Sequence, residues 1–156
     1  RASDLRKAAW YSTTLQAGFN LLTKYNLNNF ALPIVHLTEM KLIRAEAGAE
    51  TGGSNLAVAI GDINQVMTRA YGSTAFNLPL NASAAAVIAA ARTERELELV
   101  GEGNRTQEIK RIGARSGTNV DRRGSLWNCN GFILQFPKAE NDANTAFIMN
   151  IEGGCF

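Results

Sequence analysis

Carboxylates are densest in the run Arg92-Thr93-Glu94-Arg95-Glu96-Leu97-Glu98-Leu99. On a helix, Glu94 and Glu98 stand one turn apart, near the roughly 5–6 Å separation of a retaining glycosidase pair, and a neighbouring arginine would tune one of them. Adjacent carboxylates on helices are commonplace and usually pair with arginines, so structural pairing outweighs catalysis and no catalytic residue is assigned. Ala91, Arg95, Glu98 and Glu102 follow one another at spacings of four, three and four, so an apolar stripe runs into charge. The expectation is a buried or half-buried ion network of Arg95, Glu98, Glu102 and Arg105, joined by Glu39 and Arg44, that fixes helix packing.

The remaining chemistry-bearing residues carry weaker signals. His36 lies among Val35, Leu37 and Met40 with no triad partner nearby in the sequence, and reads as a packing residue. Gly101-Glu102-Gly103 lacks a preceding strand and the third glycine of a dinucleotide fingerprint. Lys110, Arg111, Arg115, Arg122 and Arg123 have no interleaved aromatics, so they read as solvated and no nucleic-acid partner is expected. Trp10, Tyr11 and Trp127, with Tyr25, are candidates for stacking on a sugar ring, although core packing is the more common fate of such residues. Cys129 and Cys155 form no Cys-x-x-Cys pair and have one distant histidine, which removes the usual zinc patterns. Neither a metal nor a cofactor is expected.

These residues must be positioned by a chain of 156 residues, long enough for one domain with a real core. With 46% hydrophobic and 19% charged residues, 14 Gly and 3 Pro, disorder and low-complexity repeats are excluded. A net charge of +2 names no partner. The longest apolar run, residues 84–91, falls well short of the ~18–20 residues of a membrane span. The chain opens on Arg1 with no leader pattern and reads as a piece of a longer one.

Residues 1–29 have an ambiguous period; a short hairpin is favoured, with a helix over 5–15 left open. Pro33 opens a helix through Ala47 that is apolar around most of its circumference and so expected to be largely buried. Gly52-Gly53 stops it, and Ser54 or Asn55 caps a second helix with the stripe Leu56, Ile60, Ile63, Met67 and Ala70, ended by Gly72. A third helix spans about residues 83–100, and Asn104 caps a fourth that ends at Gly113 and pairs with the third. Alternation over 132–136 predicts a short strand, closed by Pro137 and followed by an irregular tail. The fold class is mainly α: tetratricopeptide-like stacked helical hairpins with a few short strands and an irregular C-terminal tail.

Three motifs then occur in order. Leu37-Thr38-Glu39-Met40-Lys41-Leu42-Ile43-Arg44-Ala45-Glu46-Ala47, with Gly52 and Ile63-Asn64-Gln65-Val66, resembles the helical pair near the C-terminus of the SusD/RagB family. Glu94-Arg95-Glu96-Leu97-Glu98-Leu99-Val100-Gly101-Glu102-Gly103-Asn104-Arg105 resembles its run of Glu-Arg, Glu-Leu and Glu-Gly-x-Arg. Pro137, Glu140 and Asn144 are similar to its late Pro-x-x-Glu-x-x-x-Asn segment, and Asn150 with Gly153-Gly154 to its Asn-Pro-Gly ending. His36, Asn104 and Thr106 depart from the residues usual there. The resemblance implies an outer-membrane lipoprotein that captures glycans or other nutrients beside a SusC-like TonB-dependent transporter, in polysaccharide utilisation and without turnover. Residues 1–156 would be a single domain, the C-terminal portion of such a protein. Its sugar contacts and lipid anchor would lie outside this chain, so no binding residue is carried over. The alternative is a free-standing tetratricopeptide-like protein-interaction module.

A cell-surface location favours oxidation. A bridge between Cys129 and Cys155 would close a loop of about 27 residues, for which chain entropy gives roughly 3.5 kcal/mol; two separate thiols are the other reading. Thiol titration of unreduced, denatured protein from an oxidising compartment is expected to find no free thiol. Two free thiols would exclude the bridge.

Overall fold

In the computed structural model the described residues are 3–26, 29, 33–117, 126–144, 146–151 and 153. They form a mainly helical protein, as the periodicity predicts. The chain is divided into two compact units, Arg1–Glu102 and Gly103–Phe156.

The first unit opens where the Asp4 side chain accepts from the Arg6 amide and starts α1 (Leu5–Trp10). At Tyr11 the backbone becomes extended, and β1 (Tyr11–Ser12) pairs antiparallel with β2 (Leu21–Leu22), Tyr11 opposite Leu22. Both sequence readings of this segment therefore hold in part. The hairpin exists, but the Asp4 cap draws residues 8–10 into a helix, and the Ser12 hydroxyl accepts from the Thr14 and Leu15 amides and turns the chain at once.

α2 (Leu37–Thr51) begins later than Pro33 predicts, leaving Ile34 and Val35 exposed ahead of it. It is also not largely buried. Leu42, Ala45, Glu46 and Ala49 face inward, whereas Leu37 is 72%, Met40 43% and Ile43 45% exposed. The helix packs against α3 (Ser54–Tyr71) and α4 (Ala84–Glu98), and these cover one side of it. Gly52 ends α2 at φ 71°, and the cap of α3 is Gly53, not a side chain of Ser54 or Asn55. The stripe of α3 is as spaced: Ile60, Ile63, Met67 and Ala70 are buried and Leu56 is half-buried. A single 3-10 turn, Thr74–Phe76, follows, and Asn64 holds the return by bonding both backbone groups of Leu78. The Ser83 hydroxyl accepts from the Ala86 amide to start α4. Leu42, Ile60, Ile63 and Val87, with small residues such as Ala45 and Ala91, fill the core between these three helices.

The second unit opens with α5 (Arg105–Ser116), which continues past Gly113 to Gly117 at φ 62°. Asn104 precedes it without a side-chain cap bond. The pairing of this helix with α4 expected from sequence falls across the boundary between the units; α4 itself packs on α2 and α3. The strand predicted over 132–136 does not form. Asn130–Phe132 make a 3-10 turn, and the next residues are tied to Asn150 by its side chain donating to the Leu134 carbonyl and by Gln135 donating to the Asn150 carbonyl. Alternation alone cannot make a ladder without a partner edge, and the only sheet among the described residues is β1 with β2. Pro137 leads into α6 (Lys138–Ala143), so the tail is more regular than expected, and Phe136 meets Phe147 edge to face at 4.9 Å. Cys129 is buried and disulfide-bonded, while Cys155 lies outside the described residues. No described helix is long and apolar enough to cross a membrane.

A Cβ on Gly113, inside α5, would overlap the Trp127 ring at Cγ and Cδ2 and the Trp127 Cβ as well. Replacing Gly113 by Ala gains about 1 kcal/mol of helix propensity but forces that ring out, so the net expected loss is about 1–2 kcal/mol. Thermal unfolding together with Trp127 fluorescence checks it; an unchanged or higher melting temperature would contradict this packing.

Candidate functional site

The C-terminal half of α4 turns charge inward. Its buried row is Val87, Ala91, Glu94 and Glu98, and the last two are only 1% and 6% exposed. Arg6 enters from α1, with Nη1 2.8 Å from Glu94 Oε2 as a charge contact off the N–H axis and donating to Glu98 Oε1 at 2.9 Å. Its Nε and Nη2 donate to the two Asp4 carboxylate oxygens. From α3 the Tyr71 hydroxyl donates to Glu94 Oε1 at 2.9 Å, and Arg69 donates to Glu98 Oε2 at 2.6 Å. Each inward carboxylate is thus met by a cation, and Glu94 by a hydroxyl as well. Such an arrangement neutralises charge; a glycosidase pair must instead present one acid and one base to a substrate.

Glu102 follows in the turn after α4, between Gly101 and Gly103, which have φ 79° and 77°. Glu102 Oε1 accepts from Lys24 Nζ at 2.5 Å and from the Tyr25 hydroxyl at 2.7 Å. His36 Nε2 is 3.2 Å from Glu102 Oε2, an ion pair only when the ring is protonated. Lys24 also donates to the Glu98 carbonyl and lies 4.2 Å from the centre of the Trp10 ring. A Cβ at Gly101 would meet Leu22, so the glycine serves close approach as well as the positive φ.

The ion network expected from sequence is therefore distributed. Arg95 reaches Glu39 at 2.6 Å, a predicted pair that the structure brings together. Arg44 is bidentate to Asp62, away from α4. Glu98 takes Arg6 and Arg69; Glu102 takes Lys24 and Tyr25; Arg105 opens α5 in the second unit. Sequence reasoning missed Asp4, Arg6, Lys24, Arg69 and Tyr71. For Arg6 no local signal exists, since its partner Glu98 is 92 positions away.

Of the four sugar-stacking candidates, Tyr25 donates to Glu102, and the other three have different surroundings. Tyr11 lines a shallow pocket with Asp4, Lys7, Ala8, Thr13 and Asn20. Trp10 is half-buried beneath Lys24, and Trp127 packs on Gly113 in the second unit. Of the basic positions, Lys110 donates to the Phe132 carbonyl and Arg111 pairs with Glu108, while Arg122 and Arg123 lie outside the described residues. Among the described residues no group of three His, Cys, Asp or Glu side chains could hold a metal ion.

Comparison with known proteins adds to this geometry. The family model described as the SusD family matches residues 18–150. A SusD superfamily protein from Bacteroides vulgatus ATCC 8482 is similar in structure, with a TM-score of 0.71 and 22% sequence identity. The alignment covers 96% of this chain and 36% of that one, so the present chain spans about a third of that relative's length. No curated protein sequence matches it.

The charge pairs carry a pH dependence of definite sign. Burial by itself would raise the carboxyls of Asp4 and Glu102, but hydrogen bonds and positive charge overcome it: Arg6 holds Asp4, and Lys24, Tyr25 and His36 hold Glu102, below their ordinary values. Burial first, then Glu102, pushes the Tyr25 hydroxyl up to about 12. A carboxyl lowered by folding stabilises the fold at every pH above its unfolded value, near about 4, and that contribution is lost as pH falls through the lowered folded value. With Trp127→Phe leaving Trp10 as sole indole and His36→Gln removing the imidazole beside Glu102, Trp10 fluorescence is expected to stay flat from pH 7 to pH 5 and to change only below about pH 4. A transition centred above pH 5 would contradict this assignment.

Proposed function

The chain belongs to the SusD family, and on that premise we propose that it is the C-terminal helical portion of a nutrient-binding protein that captures glycans or similar ligands without turning them over. The observation that carries this reading is the family match over residues 18–150, in a chain spanning about a third of a SusD superfamily structure. In this reading residues 1–156 are one part of a longer chain, attached to the outer membrane at the cell surface through a lipid anchor elsewhere in the parent. The partner is a SusC-like TonB-dependent transporter.

Absence of turnover is supported by the fate of the acidic residues. Glu94 and Glu98 are buried against Arg6 and Arg69, and Glu39 and Glu46 pair with Arg95 and Arg92. The role of this portion is scaffold: three helices around an apolar core, with charge pairs fixing what packs on them. A Cys129–Cys155 bridge at the cell surface belongs to the same reading.

Two measurements on matched samples test it. Calorimetry of the 156-residue chain against a panel of soluble oligosaccharides is expected to detect no saturable binding at millimolar ligand, where a site with Kd near about 1 mM would register. The parent chain is expected to bind and to co-purify with the transporter encoded beside it. Stoichiometric binding by the short chain would return the site to Trp10, Tyr11 and Trp127; a parent that neither binds nor co-purifies would overturn the assignment.

A further inference from the structure

The apolar core of the first unit is built by residues 42–91, and no residue of segment 3–26 belongs to it. Within α1, β1 and β2 the only buried residue is a charged one, Arg6. Several of its large apolar side chains are turned outward, Leu5 being 56%, Leu15 63% and Phe19 57% exposed, while Trp10 and Leu21 are half-buried. What attaches it is polar. Arg6 sits between Glu94 and Glu98, Lys24 spans the Glu98 carbonyl and the Glu102 carboxylate, and Tyr25 donates to Glu102. Apolar side chains add to this at its edges, where Leu5 lies over Gly72 and Leu22 over Gly101, both outside the core.

We propose that residues 3–26 are a strap, latched by the carboxylates of α4 and its following turn, that opens as one unit while α2, α3 and α4 stay folded. Segments with few buried apolar contacts occupy the low-stability end of a protein's opening spectrum, and this one lies outside the core. The latch acts as a unit because its acceptors are shared. Glu98 faces Arg6 from α1, Arg69 from α3 and, through its carbonyl, Lys24; Glu94 faces Arg6 and Tyr71; Glu102 faces Lys24, Tyr25 and His36. Withdrawing Arg6 strips Glu94 of its cation and leaves Arg69 alone on Glu98. The open form therefore presents an acidic face on α4 that the closed form hides, and its outer surface still carries the Tyr11 pocket, whose lining residues all belong to the strap itself.

Native-state hydrogen exchange on the whole chain at pH 7 tests this. The reporters are the Thr23 amide, bonded to the Trp10 carbonyl inside the strap, and the Val66 amide inside α3. Thr23 is expected to exchange through an opening that Val66 does not share. Arg6→Met should cut protection at Thr23 by on the order of a hundredfold or more, the consequence of an uncompensated buried carboxylate. That variant also burdens α4, so Arg6→Met with Glu94→Gln and Glu98→Gln is measured beside it. There Val66 should recover wild-type protection while Thr23 remains exposed. Equal protection of Thr23 and Val66 in the wild type, falling together in both variants, would mean that the strap is part of the global unit and would overturn the proposal. Unchanged Thr23 protection in Arg6→Met would overturn the ionic nature of the latch.

Discussion

Two carboxyl side chains on the last turns of α4 are placed where water scarcely reaches them, and the first unit is arranged around that constraint. An isolated buried carboxylate would cost several kcal/mol, so Glu94 and Glu98 require cations and hydrogen-bond donors at fixed positions. α3 provides Arg69 and Tyr71 from its own C-terminal turn. α1 provides Arg6, whose charge in turn needs Asp4, the residue that caps the same helix. The cap, the short helix and the docking of the N-terminal segment are thus one solution to one electrostatic demand. Tyr71 joins it to the apolar side, its hydroxyl among the charges and its ring tilted against Phe76 at 4.8 Å.

The helices of the first unit were legible because their signals are local. Gly52, Gly72 and Ser83 mark ends and a start through their own backbone or hydroxyl chemistry, and the i, i+3, i+4 row from Ile60 to Ala70 needs only the sequence itself. The partners of α4 were not legible in the same way. A row through Ala91, Arg95 and Glu98 and a row through Ala91, Glu94 and Glu98 satisfy the same helical spacing, and the choice between them is made by where α2 and α3 lie. Pairings such as Arg6 with Glu98 or Lys24 with Glu102 depend on that tertiary placement and leave no periodic trace. The expected strand at 132–136 failed for the opposite reason: its local pattern was present, and among the described residues no strand pairs with it. Family resemblance rested on the helix sequences themselves and was therefore independent of these choices.

Glycine marks the places where the backbone, not a side chain, is the packing element. Trp127 lies on Gly113 and Leu22 on Gly101. Only the second also needs the left-handed backbone, since Gly113 sits within a helix. The same residue type is thus demanded by shape alone in one unit and by shape and dihedral together in the other.

α2 has two apolar sides, one buried against its neighbours and one bearing Leu37, Met40 and Ile43 in the open. Those side chains recur one turn apart and offer a greasy ridge to anything amphiphilic in solution. A detergent, or a sugar carried on an alkyl or aryl aglycone, can adsorb there through its tail with no recognition of the carbohydrate. Uptake of that kind is non-stoichiometric, insensitive to sugar stereochemistry and suppressed by a competing surfactant, which distinguishes it from a carbohydrate site.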